Sequence, residues 1–103
     1  MERNSWRRYE VVYILKPDID EERYAQEISR FEELIKQEGG EVREVEEWGK
    51  QTLAYEIQHY DQGYYVLMDF ALDPQGLPRL EERFKLDDVV LRHQIVRLDK
   101  DEE

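Results

Sequence analysis

The 103-residue sequence predicts an α+β domain whose elements run strand, helix, strand, strand, helix, strand. Two segments dense in β-branched and aromatic residues, 7–15 and 64–72, read as central strands. Two others, one between Asp18 and Gly39 and a shorter one around Leu77, Leu80 and Phe84, carry apolar residues at helical spacing, and glycine or proline punctuates most of the joins between elements.

The first strand, RRYEVVYIL, places Tyr9, Val11, Tyr13 and Leu15 on one side and Arg8, Glu10, Val12 and Ile14 on the other. Both sides are largely apolar beyond Glu10, which predicts a central strand covered on one face and partly covered on the other. Pro17 closes it. The period then changes. Asp18 or Asp20 can cap a helix, Glu21 and Glu22 suit its positively polarised first turn, and Tyr24, Ile28, Phe31 and Ile35 form one stripe. Gly39 and Gly40 end it.

Residues 41–57 read as extended chain in two parts. Val42 to Glu47 is weakly apolar and charged, which suits an edge strand. The segment WGKQTLAYEI follows, in which Leu53, Tyr55 and Ile57 alternate with polar or small residues. Gly49 between these parts predicts a bend or bulge, with Trp48 packed at its base, Lys50 held outward, and Leu53, Tyr55 and Ile57 setting the register. HYDQG, residues 59–63, predicts a hairpin turn whose glycine supplies a positive φ. The strand YYVLMDFAL comes next. Pro74, Gly76 and Pro78 lead into a short helix with Leu77, Leu80 and Phe84 on its apolar face, and residues 89–98 form the last strand.

Right-handed crossovers place both helices on the same side of the sheet. The expected fold is therefore ferredoxin-like βαββαβ: a four-stranded antiparallel sheet with the first and third strands in the middle and two helices on one face. The other face lacks a helix and is open to a partner. The expected organisation is a flexible N-terminus over residues 1–6, one domain over 7–98, and an acidic tail, DKDEE, over 99–103.

Fifteen basic against 26 acidic residues give a net charge of -11, which argues against broad, unaided nucleic-acid binding. The charge is uneven: residues 1–16 carry +2, whereas residues 17–49 carry -8. A small basic face can survive in such a molecule, given a partner that holds it near phosphate. No cysteine is present, so neither a disulfide nor a thiolate metal site is available. Apolar runs such as VVYIL fall far short of the ~18 residues that suggest a membrane span, and a soluble, cytoplasmic protein is expected.

Nothing in the pattern points to catalysis. His59 and His93 are 34 positions apart, Ser5 and Ser29 lack a nucleophile-elbow context, and Gly39-Gly40 follows its helix instead of opening one around a phosphate. Neither an enzyme nor a metal, cofactor or small-molecule substrate is expected. An RNA-recognition motif shares the topology, but the basic, glycine-rich third-strand signature is missing from YYVLMDFAL. The basic candidates are Arg7, Arg8, Lys50, Arg92 and Arg97; Arg8, Arg92 and Arg97 lie on neighbouring strands and could converge, or could simply balance nearby glutamates.

Four ordered segments, RRYEVVYILKPD, WGKQTLAYEI, GYYVLMDF and FKLDDVVLRHQIVR, together resemble the bacterial small-subunit ribosomal protein six family from Arg7 to Arg97. In the central segment Gly49, Leu53, Ala54, Tyr55 and Ile57 stand at the matching positions. The resemblance implies a ribosome-associated structural protein that binds the central domain of small-subunit ribosomal RNA and pairs with small-subunit ribosomal protein eighteen. It also implies that Arg7, Arg8, Lys50, Arg92 and Arg97 approach phosphate or the partner. Two departures stand out: Gln51 follows Lys50 where the family often has a second basic residue, and Glu56 replaces the common proline after Leu-Ala-Tyr. The alternative is a non-ribosomal interaction module that forms homo-oligomers through its open sheet face.

Overall fold

The computed structural model describes residues 6–98. The expectations of a loose N-terminus and an acidic tail fall, apart from Trp6, outside the described residues. The strands are β1 (Arg7–Leu15), β2 (Glu41–Ile57), β3 (Tyr60–Leu72) and β4 (Val90–Arg97); the helices are α1 (Glu21–Gln37) and α2 (Leu77–Leu86). The sheet order is β2-β3-β1-β4 and every pairing is antiparallel, as the ferredoxin-like expectation requires.

Local chemistry explains the helix positions. Asp20 caps α1 by accepting a hydrogen bond from the Arg23 amide at 2.9 Å, which settles the choice between the two aspartates. Asp73 accepts from the Gln75 amide at 2.9 Å, stabilising a 3-10 turn (Pro74–Gly76) that leads directly into α2. Tyr24, Ile28, Phe31 and Ile35 of α1 and Leu80 and Phe84 of α2 are buried against Tyr9, Val11, Tyr13, Leu15, Val66, Met68, Phe70 and Leu72 of the sheet. The centre of this layer is aromatic. Phe31 and Phe84 stack with centroids 4.0 Å apart, Tyr13 contacts both rings at 5.3 and 5.1 Å, and Tyr24 stacks on Tyr64 at 3.8 Å. Stacked rings add about 0.5–1.5 kcal/mol per pair to the burial of their apolar area, so this seam fixes both helices on one face.

The β2-β3 hairpin departs from expectation. Its reversal is made by Gln58 and His59, both with positive φ (51° and 71°), not by Gly63. Two consecutive left-handed residues match the twist of a tight hairpin. Gly63 lies inside β3, where a Cβ would come within 2.2 Å of Ile14 Cγ2, so glycine serves close approach instead of a turn. The pairing of β2 and β3 is irregular between Thr52 and Ile57, and this stretch leans back over one corner of the sheet. Leu53 is buried with Ile14 and Leu91, and Ile57, Tyr60 and Tyr65 pack around them. The helix-free face is thus closed at one end by the chain's own hairpin and open over the rest.

Candidate functional site

The open face is built by residues whose neighbours along each strand point into the helix layer. Antiparallel partners share a face, so the register defines its rows. In the first row, Val96 of β4, Glu10 of β1, Asp69 of β3 and Glu44 of β2 are consecutive cross-strand partners. In the second row, Gln94, Val12, Leu67 and Glu46 are matched in the same way. Arg92, Ile14, Tyr65 and Gly49 make the third. Three carboxylates therefore face one another directly across β1, β3 and β2, an arrangement that destabilises an isolated sheet.

The neutralisation is incomplete. Arg8 reaches Asp69 at 3.2 Å, while Asp69 Oδ1 is buried with no hydrogen bond among the described residues. Glu46 raises the Glu44 carboxyl, first through a hydrogen bond and then through its own charge. Beside these acids lies an aromatic corner. The ring of Trp48 stacks on Tyr65 with centroids 6.3 Å apart, its indole N–H donates to Glu46 at 2.9 Å, and the residue remains 44% exposed.

Gly49 performs the expected backbone task. Its φ is +82° and the β2-β3 register shifts between Glu47 and Gly49, so Trp48 is the extra residue of a bulge. Lys50, just beyond, is exposed. Leu53 and Ile57 pack as anticipated, but Tyr55 does not join the core. It is 59% exposed and lies toward β4, where the Arg92 guanidinium sits 5.5 Å from its ring centroid and donates to its hydroxyl. The irregular pairing after Thr52 swings Tyr55 out of the alternation that sequence spacing suggested.

The basic residues do not gather into one patch. Arg92 is opposite Ile14, whereas Arg97 is opposite Tyr9, at the far end of the β1-β4 ladder and in phase with the helix-facing residues. Arg8 is at that end too but on the open face, paired with Asp69. Arg7 is half-buried and donates to the Trp6 carbonyl at 3.1 Å. The anticipated convergence of Arg8, Arg92 and Arg97 therefore fails, because adjacency of strands does not align residues separated along them. Sequence reasoning also missed Glu10, Asp69, Glu44 and Glu46 as surface-defining groups. The available signal was an acid placed mid-strand in each of two otherwise apolar central strands.

His59 occupies the hairpin turn, and His93 of β4 bonds Glu81 of α2 at 3.0 Å and stacks on Phe84 at 5.1 Å. Neither histidine shares a grouping with the carboxylates of the open face.

The family model described as Ribosomal protein S6 matches residues 8–97. The chain belongs to the ribosomal protein S6 family. It is 47% identical over 94 residues to small ribosomal subunit protein bS6 of Thermoanaerobacter pseudethanolicus, covering 91% of this chain and 99% of that one. It is 44% identical to bS6 of Carboxydothermus hydrogenoformans, also over 94 residues, covering 91% and 98%. The crystal structure of 30S ribosomal protein S6 from Thermotoga maritima superposes with a TM-score of 0.86 at 30% identity, covering 90% of this chain and 88% of that chain. The bulge at Gly49, the sheet order and the acid row are thus features of an S6 family member.

Proposed function

We propose that the chain is a structural protein of the small ribosomal subunit that binds the central domain of the ribosomal RNA together with small-subunit ribosomal protein eighteen. The observation that carries the mode of binding is the open sheet face. Its apolar middle, Val12, Leu67 and Tyr65, is bordered by Glu10, Asp69, Glu44 and Glu46. A basic protein segment is the matching occupant: it covers apolar surface, supplies donors to under-satisfied carboxylates and lowers the repulsion toward RNA. The arginines and lysine outside the row, Arg7, Arg92, Arg97 and Lys50, then act at phosphate or at the partner's rim, and Arg8 stays with Asp69.

Homo-oligomerisation through the same face is disfavoured by the same row. A two-fold interface whose axis passes through the acidic groups would set like charges against like charges, with four of them on each side. The ribosomal reading makes a direct prediction. At physiological salt, the isolated protein should bind central-domain RNA weakly, and the eighteenth protein should tighten binding by at least tenfold in a filter-binding or fluorescence titration. Identical isotherms with and without that protein would contradict the proposal.

A further inference from the structure

A second feature lies on the opposite side of the sheet, away from the open face. Glu27 of α1 has a side chain only 1% exposed, although it sits in a helix whose other acids face solvent or lie at its margin. Its Oε2 is approached by Arg23 at 3.3 Å and Arg30 at 3.4 Å. Asp87, in the turn between α2 and β4, is 5% exposed, and its Oδ2 lies 3.8 Å from the same Arg30. The remaining oxygen of Glu27, Oε1, and Oδ2 of Asp87 are both buried with no hydrogen-bond donor among the described residues. Two buried acceptors from different elements, both on carboxylates beside Arg30 and each lacking a donor, can be satisfied together by one shared hydrogen.

We propose that Glu27 and Asp87 hold a single proton between them, forming a proton-closed latch that ties α1 to the turn leading into β4. The turn has structural leverage. Asp87 Oδ1 accepts from the Val89 amide at 2.9 Å, and the Asp87 carbonyl accepts from the Val90 amide at 3.1 Å, so the carboxyl that closes the latch also sets where β4 begins. Val90 pairs with Leu15, and Arg92 follows opposite Ile14 on the open face. Opening the latch therefore loosens the strand that carries Arg92.

The groups facing the pair come from three elements. Arg23 and Arg30 on α1 are half-exposed and favour the ionised form. From β1, the buried Tyr13 hydroxyl has no hydrogen-bond partner among the described residues and is pushed upward by burial and then by Glu32, Glu27, Glu47 and Asp87, so it stays neutral. Asp87 completes the set from the turn. Burial first, then the hydrogen bond and charge of Asp87, push Glu27 up from 4.5 to about 7 against the pull of the two arginines. Because the folded protein holds this proton more tightly than the unfolded chain, the latch contributes fully below the ordinary carboxylate range. Its contribution is lost as pH rises from there through about 7.

The test is a carboxyl ¹³C NMR titration of the full chain with urea midpoints measured between pH 5 and pH 8. Glu27 should titrate near neutrality, and the folded-to-unfolded ratio should fall by up to about a hundredfold across that range. Glu27→Gln should flatten this fall, and Asp87→Asn should bring the Glu27 titration down toward its ordinary value. An ordinary Glu27 titration in the unmodified chain would overturn the latch, whatever the variants do. So would a slope preserved in both variants.

Discussion

Gly63→Val should destabilise the domain by about 1–3 kcal/mol, a lower bound for a site where the neighbour cannot step aside. The added Cβ would come within 2.2 Å of Ile14 Cγ2 and 3.3 Å of Leu53 Cδ2, both part of the small cluster beneath the hairpin. Ile14 is β-branched and held in a central strand between β3 and β4, so it cannot rotate away cheaply. The consequence is local as well as global: the hairpin must lift, and Tyr55 then leaves Arg92. Urea denaturation gives the first part, and loss of the Tyr55-Arg92 contact by NMR gives the second. Ile14→Ala should restore part of the loss in the double variant, because it removes the atom that clashes. A Gly63→Val protein with the parent midpoint would show that the hairpin does not press on β1 as described.

Phe84→Ala should cost more, about 3–5 kcal/mol, the range for truncating a large buried aromatic side chain. Phe84 stacks on Phe31 at 4.0 Å, meets Tyr13 at 5.1 Å and stacks on His93 at 5.1 Å, so one ring joins α1, α2, β1 and β4. Removing it leaves a cavity at a place where all four elements meet. Since stabilities of 5–15 kcal/mol are usual for domains, this is a large share of the total, and the thermal midpoint should fall by more than about 10 °C. Thermal denaturation followed by circular dichroism checks this; a change in midpoint below 2 °C would assign the packing to other residues.

Much of this architecture is legible in sequence because its signals are periodic. Tyr24, Ile28, Phe31 and Ile35 can share one side only in a helix, and Tyr9, Val11, Tyr13 and Leu15 only in a strand; the structure places each set accordingly. What escaped were features set by contact across elements. Gln58 and His59 carry no turn signature, yet both adopt left-handed backbone because the strands on either side impose the hairpin. Gly63 looked like the turn residue and instead answers to Ile14, 49 positions earlier. Glu27 is one acid among many in α1, although its place three residues after Tyr24 and four before Phe31 puts it on the buried stripe.

The candidate site divided in the same way. Gly49 announced a bulge through its backbone freedom, and the bulge is there. The acids Glu10 and Asp69 were visible as lone charges in apolar strands, but their alignment with Glu44 into a row is set by the β1-β3 and β2-β3 register. The basic residues illustrate the opposite error. Neighbouring strands suggested that Arg8, Arg92 and Arg97 meet, while the ladder sets Arg92 and Arg97 five pairs apart, counting from Ile14 to Tyr9. Four of the 26 acids are therefore gathered on the open face by the register, which is the feature the proposed docking of a basic partner rests on.

The most direct measurement is hydroxyl-radical footprinting of the full chain with and without the eighteenth small-subunit protein. Protection should concentrate on Trp48, Tyr65 and Leu67, with exposed Leu86 on α2 unchanged. Protection of Leu86 and Leu77 with Trp48 and Tyr65 left reactive would place the partner on the helices and contradict docking on the open face.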